Sequence, residues 1–367
     1  MPTERHIMRV EDLVERPGAW LSMGPETGVA ISSRIRLARN IRGAAFPGWA
    51  GQEESVQIAD SIFDALGKVS ELDGALVLKI DQLDPVDRQI LRERHLISNE
   101  LVDKGEGSGL VVTRDESVAV MVNEEDHLRL QVISPGINLD RLWARIDAID
   151  SSLEEHLTYS FAPDIGYLTA CPTNVGTGLR ASVMVHLPGL SLMHEVEPVV
   201  KGLSKIGLAV RGLLGEGTEA AGNMFQISNQ VTLGQSEVEI IGRLSEVVSE
   251  VIVHEHNARQ RLMEGRESQV RDLVGRAHGI LRQAHLMTSR EMLDLLSALR
   301  LGIELELVRN ADVKLVNELM LLTQPGHLQR ILKQTISPEE RDVVRARMVR
   351  ERLAKLTIEK DLTRDAT

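Results

Sequence analysis

The chain has 367 residues, 43% of them hydrophobic, enough for two domains of ordinary size and a sizeable core. A net charge of −12 argues against broad nonspecific binding to nucleic acid or anionic membrane, and aromatics at 2% argue against base-stacking platforms. No run is long and apolar enough to span a bilayer, Met1 to Arg9 lacks a signal-peptide stretch, and the single cysteine, Cys171, fits a reducing cytoplasm.

Residues 1 to about 30 read as polar and irregular, with Pro17-Gly18 and Gly24-Pro25 as turns. Ser32-Ser33-Arg34-Ile35-Arg36 opens an arginine-rich block. Arg34 and Arg36 alternate at strand spacing and share a face, and two guanidinium forks side by side suit phosphate oxygens. Arg39 and Arg42 read as structural or surface residues. Helical spacing covers Glu53 to Ser70, and Ala75 to Ile80 is a strand candidate. Asp84-Pro85 caps a helix to about Leu96, with His95 near its end. Leu110 to Thr113 and Ser117 to Asn123 alternate as a hairpin whose second strand runs into Glu124-Glu125-Asp126. Three consecutive carboxylates repel one another unless a cation sits among them; otherwise such a run is a solvated acidic turn. Leu128 to Ile133 reads as a strand and Asn138 to His156 as an amphipathic helix.

Cys171-Pro172-Thr173-Asn174-Val175-Gly176-Thr177-Gly178 reads as a tight turn, with Arg180 opening the next strand, Ala181 to Leu187. A thiol, a rigid turn and a guanidinium so close together fit one small anionic ligand; a hairpin loop with a structural cysteine fits them as well. Ser191 to Ile206 reads as a helix, Ala209 to Leu214 as a strand, and Gly215-Glu216-Gly217 as a loop over a site. Met224 to Thr232 resumes the sheet, and Ser236 to about His256 is a helix. From Ala258 onward strand signals nearly vanish. Leu262 to Leu281, Met292 to Leu301 and Ala311 to Leu322 space as helices, Pro325-Gly326 reads as a turn, and Ser337 caps the last helix. The chain therefore divides near 255, into an α+β unit (1–255) and an all-helical unit (256–367).

The blocks S-x-R-x-R at Ser32, NEEDHLR at Asn123, CPTN-x-GT at Cys171, RAS at Arg180 and RG-x-x-GE at Arg211 occur in that order. Together they resemble the phosphagen (guanidino) kinase family, from about Ile31 to about Val253. The resemblance implies an antiparallel-sheet, glutamine-synthetase-like catalytic fold that moves the γ-phosphoryl of ATP, with Mg2+, onto a guanidinium. It implies ATP binding by Ser32, Ser33, Arg34, Ile35, Arg36, His95, Arg129, Arg180, Ala181, Ser182, Val183, Met184, Arg211, Gly212, Leu213, Leu214 and Gly215. Glu125 and Glu216 would grip the acceptor, with Cys171 assisting. Leu214 stands where some members carry an arginine. No Walker A sequence and no HRD/DFG set is present, so the phosphates would sit in a cage of Arg34, Arg36, Arg129, Arg180 and Arg211.

Members acting on small guanidino compounds usually carry a helical domain before the S-x-R-x-R block. Here about thirty irregular residues precede it and a helical unit follows, a layout similar to the family's bacterial branch that phosphorylates arginines in proteins. That branch implies a cytoplasmic enzyme of protein quality control, at least dimeric. Its implied partners are an AAA+ unfoldase–protease (ClpC-type), a heat-shock repressor (CtsR-type) and an activator protein (McsA-type), with no membrane or direct nucleic-acid partner. An R-D-x-x-R-A motif implies a regulatory phosphoarginine site at Arg341, Asp342, Arg345 and Ala346; by spacing alone it is a salt-bridged helix face. A free-arginine kinase and a non-catalytic phosphoarginine adaptor are the rival readings.

Overall fold

The computed structural model describes residues 10–14, 16–212 and 220–358. In chain order the elements are α1 (Val10–Val14), β1 (Ala30–Arg39), α2 (Gln52–Leu66), β2 (Leu76–Lys79), α3 (Pro85–Glu93), α4 (Asn99–Val102), β3 (Gly109–Val112), β4 (Val118–Val122), β5 (Leu128–Pro135) and α5 (Leu139–Glu154). There follow β6 (Phe161–Ala162), β7 (Gly166–Tyr167), β8 (Leu179–His186), α6 (Pro188–Leu192), α7 (Val196–Lys205), β9 (Leu208–Gly212) and β10 (Met224–Asn229). The chain continues with α8 (Glu237–Gln283), α9 (Ser289–Glu304), β11 (Val308–Arg309), α10 (Val313–Leu322), α11 (Pro325–Leu332), α12 (Pro338–Arg352) and β12 (Thr357–Ile358).

Eight strands form one sheet, ordered β2-β3-β4-β5-β1-β8-β10-β9, and every neighbouring pair is antiparallel. Side chains alternate between its faces, and the faces differ in chemistry. Ile35 and Leu37 of β1, Leu130 and Val132 of β5, and Ala181 and Val183 of β8 pack on α2, α5 and α8 through Ile62, Ile146 and Leu244. Each such aliphatic side chain taken fully out of water contributes about 1.5–3 kcal/mol, so this face fixes the register. On the other face α1, α3 and α4 cover the β3–β4 end through Leu13, Ile90 and Leu101. The middle of that face, where β1, β5 and β8 lie side by side, carries the arginines.

Several elements depart from the expected ones. Within the N-terminal stretch Val10–Val14 form α1, and Trp20 and Leu21 pack against Ile31 and Ile133. The helix expected over 191–206 is two, α6 and α7, because His194 takes a left-handed φ of 59° between them. Pro325 starts α11 instead of forming a turn, since its missing N–H costs nothing at a first helical position. The helices expected over 236–256 and 262–281 are one 47-residue helix, α8, distorted at Arg266 (φ −141°, ψ 29°). Its first half packs on the sheet through Ile240 and Val248, and its second half joins α9, α10 and α12 through Val270 and Leu281. The change of composition near 258 marks a change of packing partner within a continuous helix. A two-residue pairing of β11 with β12 was also not expected. The caps expected at Asp84 and Ser337 form, and Ser236 and Thr288 likewise cap α8 and α9. Among the described residues no helix is long and apolar enough to cross a membrane.

Candidate functional site

Four strands bring five arginines to one face. In the β1–β8 register Arg36 lies opposite Arg180, and in the β9–β10 register Arg211 lies opposite Gln226. Arg129 sits at the start of β5 and pairs with Ala38, two residues beyond Arg36. Arg36, Arg129, Arg180 and Arg211 line a cavity of about 400 Å³ together with His95, Glu125 and Cys171. Arg34 lines an adjoining space of about 90 Å³ with Ser32, Ser182, Met184 and His95, and its Nη2 donates to Gln226 Oε1 at 2.9 Å.

These guanidinium groups repel one another. Burial, then Arg129 and Arg180, hold Arg34 down to about 10; burial, then Arg34, Arg129 and Arg180, lower Arg36. Burial lowers Arg180 too, helped by Arg211 and Arg129. The buried Nε atoms of Arg36 and Arg180 have no hydrogen-bond partner among the described residues. Among the described residues two carboxylates answer this charge, both on Arg129: Glu124 Oε1 at 2.8 Å and Glu125 Oε2 at 2.9 Å. A cluster of buried cations with open donors is a site for a polyanion.

The acidic stretch is the turn between β4 and β5, closed by Asn123 N donating to His127 O at 2.9 Å with Asn123 at φ 53°. Its three carboxylates separate. Glu124 is buried against Arg129 and the Ser98 hydroxyl. Asp126 is buried, which pushes its carboxyl up, and its Oδ1 accepts from Asn40 Nδ2 and from Ala170 N, each at 2.6 Å. His127 Nδ1 accepts from Ile41 N at 3.0 Å. Glu125 alone reaches the cavity wall, with its side chain 40% exposed. Asp126 therefore ties the Glu125 turn both to the end of β1 and to the residue before Cys171.

The Cys171 turn is rigid for local reasons. Gly176 (φ 108°) leaves no room for a side chain, because a Cβ would lie 2.3 Å from Thr232 O. Thr232 Oγ1 donates to the carbonyls of Thr173 at 3.0 Å and Val175 at 2.8 Å. Cys171 Sγ stands 3.0 Å from Thr173 Oγ1 on the cavity wall. His95 adopts φ 60°, its ring lies 5.3 Å from that of Trp20, and its carbonyl accepts from Gln131 Nε2 at 2.7 Å. Burial, then Arg34 and Arg36, bring its imidazole down to about 4, so the ring is neutral at physiological pH.

Not every expected residue reaches this face. Ile35, Ala181 and Val183 point to the packed face with no exposure, and the ladder occupies their backbones. A ligand among the arginines does not touch their side chains. Ser33 is buried with its hydroxyl donating to Gly136 O at 2.7 Å. Gly212 ends β9, and Leu213, Leu214, Gly215 and Glu216 lie outside the described residues. Sequence reasoning passed over Gln226, Asn40 and Arg92. Gln226 follows Met224 at strand spacing and so shares the arginine face, a signal present in the pattern; the Asn40–Asp126 pair spans 86 positions and leaves no local signature.

In the C-terminal part, Arg345 is buried. Its Nε donates to Thr323 O at 3.0 Å, its Nη1 donates to Met287 O at 2.7 Å, and Asp342 Oδ1 accepts from the same guanidinium. Ala346 is fully buried in the helical core. Arg341 and Asp342 alone are half-exposed, so Arg345 holds the loop before α9 instead of facing solvent.

A family model for the C-terminal catalytic domain of ATP:guanido phosphotransferases matches residues 57–258, and one for the protein-arginine kinase McsB C-terminal domain matches 267–364. Relatives named protein-arginine kinase include one from Moorella thermoacetica, 48% identical over 93% of this chain and 99% of its own. The chain belongs to the protein-arginine kinases of the ATP:guanido phosphotransferase family. A relative of the same name from Halothermothrix orenii is 43% identical over 94% of this chain and 99% of its own. Among solved structures, lombricine kinase is 28% identical with a TM-score of 0.57, over 68% of this chain and 73% of its own. A duplicated taurocyamine kinase from Schistosoma mansoni, 23% identical with a TM-score of 0.59 over 77% of this chain and 43% of its own, shares the fold. The kinase thus combines a guanidino-kinase sheet with the helical C-terminal part of the protein-arginine kinases.

Proposed function

We propose that this kinase transfers the γ-phosphoryl of ATP to the guanidinium of arginine residues in proteins. The observation that carries the reading is the arginine cavity, where buried guanidinium groups meet few counter-charges and face a wall bearing Glu125. Arg34, Arg36, Arg129, Arg180 and Arg211 would hold the triphosphate, as fixed cations that need little rearrangement when charge spreads over the moving phosphoryl. The donors here are guanidinium groups, which suit phosphate oxygens and not a metal ion. Mg2+ would therefore enter on the nucleotide and, when bound, neutralise phosphate charge.

The acceptor guanidinium has a pKa of roughly 13 and is a poor nucleophile while protonated. Glu125 would orient it and take its proton as the N–P bond forms and the bond from phosphorus to the ADP oxygen breaks. Glu216 would supply the second carboxylate by resemblance. Cys171 would lie beside the acceptor and assist. Asp126 would keep Glu125 and Cys171 in one frame through Asn40 and Ala170. Neutral His95 would pack beside the nucleotide without adding to the positive charge.

The wider reading is also ours. Residues 1–255 form the catalytic unit and 256–367 a unit for self-association and for sensing phosphoarginine, the division falling inside α8. Arg341 and Asp342 would meet that ligand, with Arg345 and Ala346 shaping the site from within. The product would mark clients for an unfoldase–protease and inactivate a heat-shock repressor in the cytoplasm. The test is phosphorus NMR with Mg-ATP, offering free arginine or an unfolded, arginine-containing protein. An acid-labile P–N signal on the protein alone is expected; a signal on free arginine alone would replace this reading with a small-molecule kinase.

A further inference from the structure

Helix α11 of the helical part holds α3 of the sheet part at both ends. At the start of α3, Arg330 Nη2 pairs with Asp84 Oδ2 at 2.9 Å and also with Asp87. At its end, the Glu93 carboxylate meets the first turn of α11. Its Oε1 accepts from Gly326 N at 2.8 Å, and its Oε2 accepts from His327 N at 3.2 Å. The same Oε2 lies 2.7 Å from His327 Nδ1. A Cβ at Gly326 would stand 3.0 Å from that oxygen, so the close approach suits glycine.

His327 is fully buried, and its partners dictate its tautomer. Arg94 can only donate, and its Nη1 lies 3.1 Å from His327 Nε2. Nε2 therefore accepts, and Nδ1 carries the proton and donates to Glu93. Burial lowers the pKa of this imidazole and favours the neutral ring. Arg94 Nε in turn donates to Glu116 Oε2 at 2.8 Å. Glu93 and Arg94 are thus both held by His327 of the helical part, and the next residue is His95. It leaves α3 at φ 60°, a left-handed conformation that a residue with a side chain keeps only where its surroundings impose it.

We propose that Glu93 and His327 are positioning residues for the phosphoryl donor, through which α11 sets His95 on the wall of the arginine cavity. The proposal rests on the reading of His95 as a neighbour of the nucleotide. An apolar contact would join α3 to α11 as well. A buried carboxylate–imidazole–guanidinium chain is directional, and it fixes the orientation of the residue that follows. The helical part thereby acts on donor binding without touching the donor.

The test uses the full chain with Mg-ATP and an unfolded, arginine-containing protein. His327→Ala should raise KM for ATP roughly 5- to 150-fold, the usual range of coupling between sites, and leave kcat and KM for the protein substrate near wild type. His327→Asn, whose amide can replace Nδ1–H, should recover most of the loss. In a His95→Gln background, itself weakened for ATP, His327→Ala should add little, because both changes remove the same contact. Hydrogen exchange on the wild type decides should the variants fail to fold: Mg-ATP should slow amide exchange in peptides spanning 325–332, since coupling is reciprocal. Exchange there unchanged by bound Mg-ATP, or full additivity of His327→Ala and His95→Gln, would overturn this proposal and leave the ATP reading intact. An unchanged KM for ATP in His95→Gln would overturn both the proposal and the reading of His95 on which it rests.

Discussion

The molecule treats buried arginine in two ways. Arg39, Arg94 and Arg345 are buried and answered: Arg39 Nη2 bonds Asp150 at 2.6 Å and its guanidinium stacks 3.5 Å over Tyr167. Arg94 grips Glu116, and Arg345 is spent on Asp342 and two carbonyls. Arg34, Arg36 and Arg180 are as close to the core, yet their nearest charges are mostly one another. Nothing in a fold requires like charges to be gathered on adjacent strands, and doing so opposes stability. The difference separates arginines that build the molecule from arginines kept for an anion.

The comparison breaks most visibly in activity. Arg180→Met should leave folding intact and lower phosphoryl transfer by about 10³–10⁵, the scale of removing a guanidinium that stabilises a moving phosphoryl. Rate assays on a variant shown folded by circular dichroism decide it, and near-normal turnover would place the arginine outside the chemistry. Glu125→Gln, and by resemblance Glu216→Ala, should cost about 10²–10⁴ in kcat, the usual worth of a positioned base. Glu125 is part-exposed at a turn, so urea midpoints should barely move.

The answered arginines should behave conversely. Arg39→Met leaves the buried Asp150 carboxylate unpaired and should destabilise the fold by about 3–5 kcal/mol in denaturant titrations. Its activity, scaled to folded protein, should stay near wild type. A smaller effect concerns pH. His95 is held at about 4 against 6.5 unfolded, so the unfolded chain takes up its proton first as pH falls. Stability is therefore full above pH 6.5 and declines between 6.5 and 4. His95→Gln should flatten that part of the stability–pH curve; an unchanged curve would mean that the imidazole is not held neutral.

How much was readable in the sequence depended on distance along the chain. Arg34 and Arg36 share a face because a strand alternates, and the caps at Asp84 and Ser337 are three-residue patterns. Both are local chemistry. The tie from Asp126 to Ala170 joins distant segments, so the linear pattern showed only an acidic run whose three members the fold separates. The motif arginines Arg341 and Arg345 looked alike at four-residue spacing; packing of α12 against Met287 and Thr323 made one of them internal. The continuity of α8 was hidden because its partners change at mid-length, and composition follows partners more than backbone.

The most direct measurement is the unfolding free energy of Arg36→Met without and with Mg-ATP. If the cavity arginines are held against their own repulsion for an anion, the variant without nucleotide should be more stable than wild type, by about 0.5–2 kcal/mol, and should gain little from Mg-ATP that stabilises the wild type. A variant less stable than wild type without nucleotide, yet equally stabilised by Mg-ATP, would mean that Arg36 serves the fold and that the contrast between the two sets of arginines does not hold.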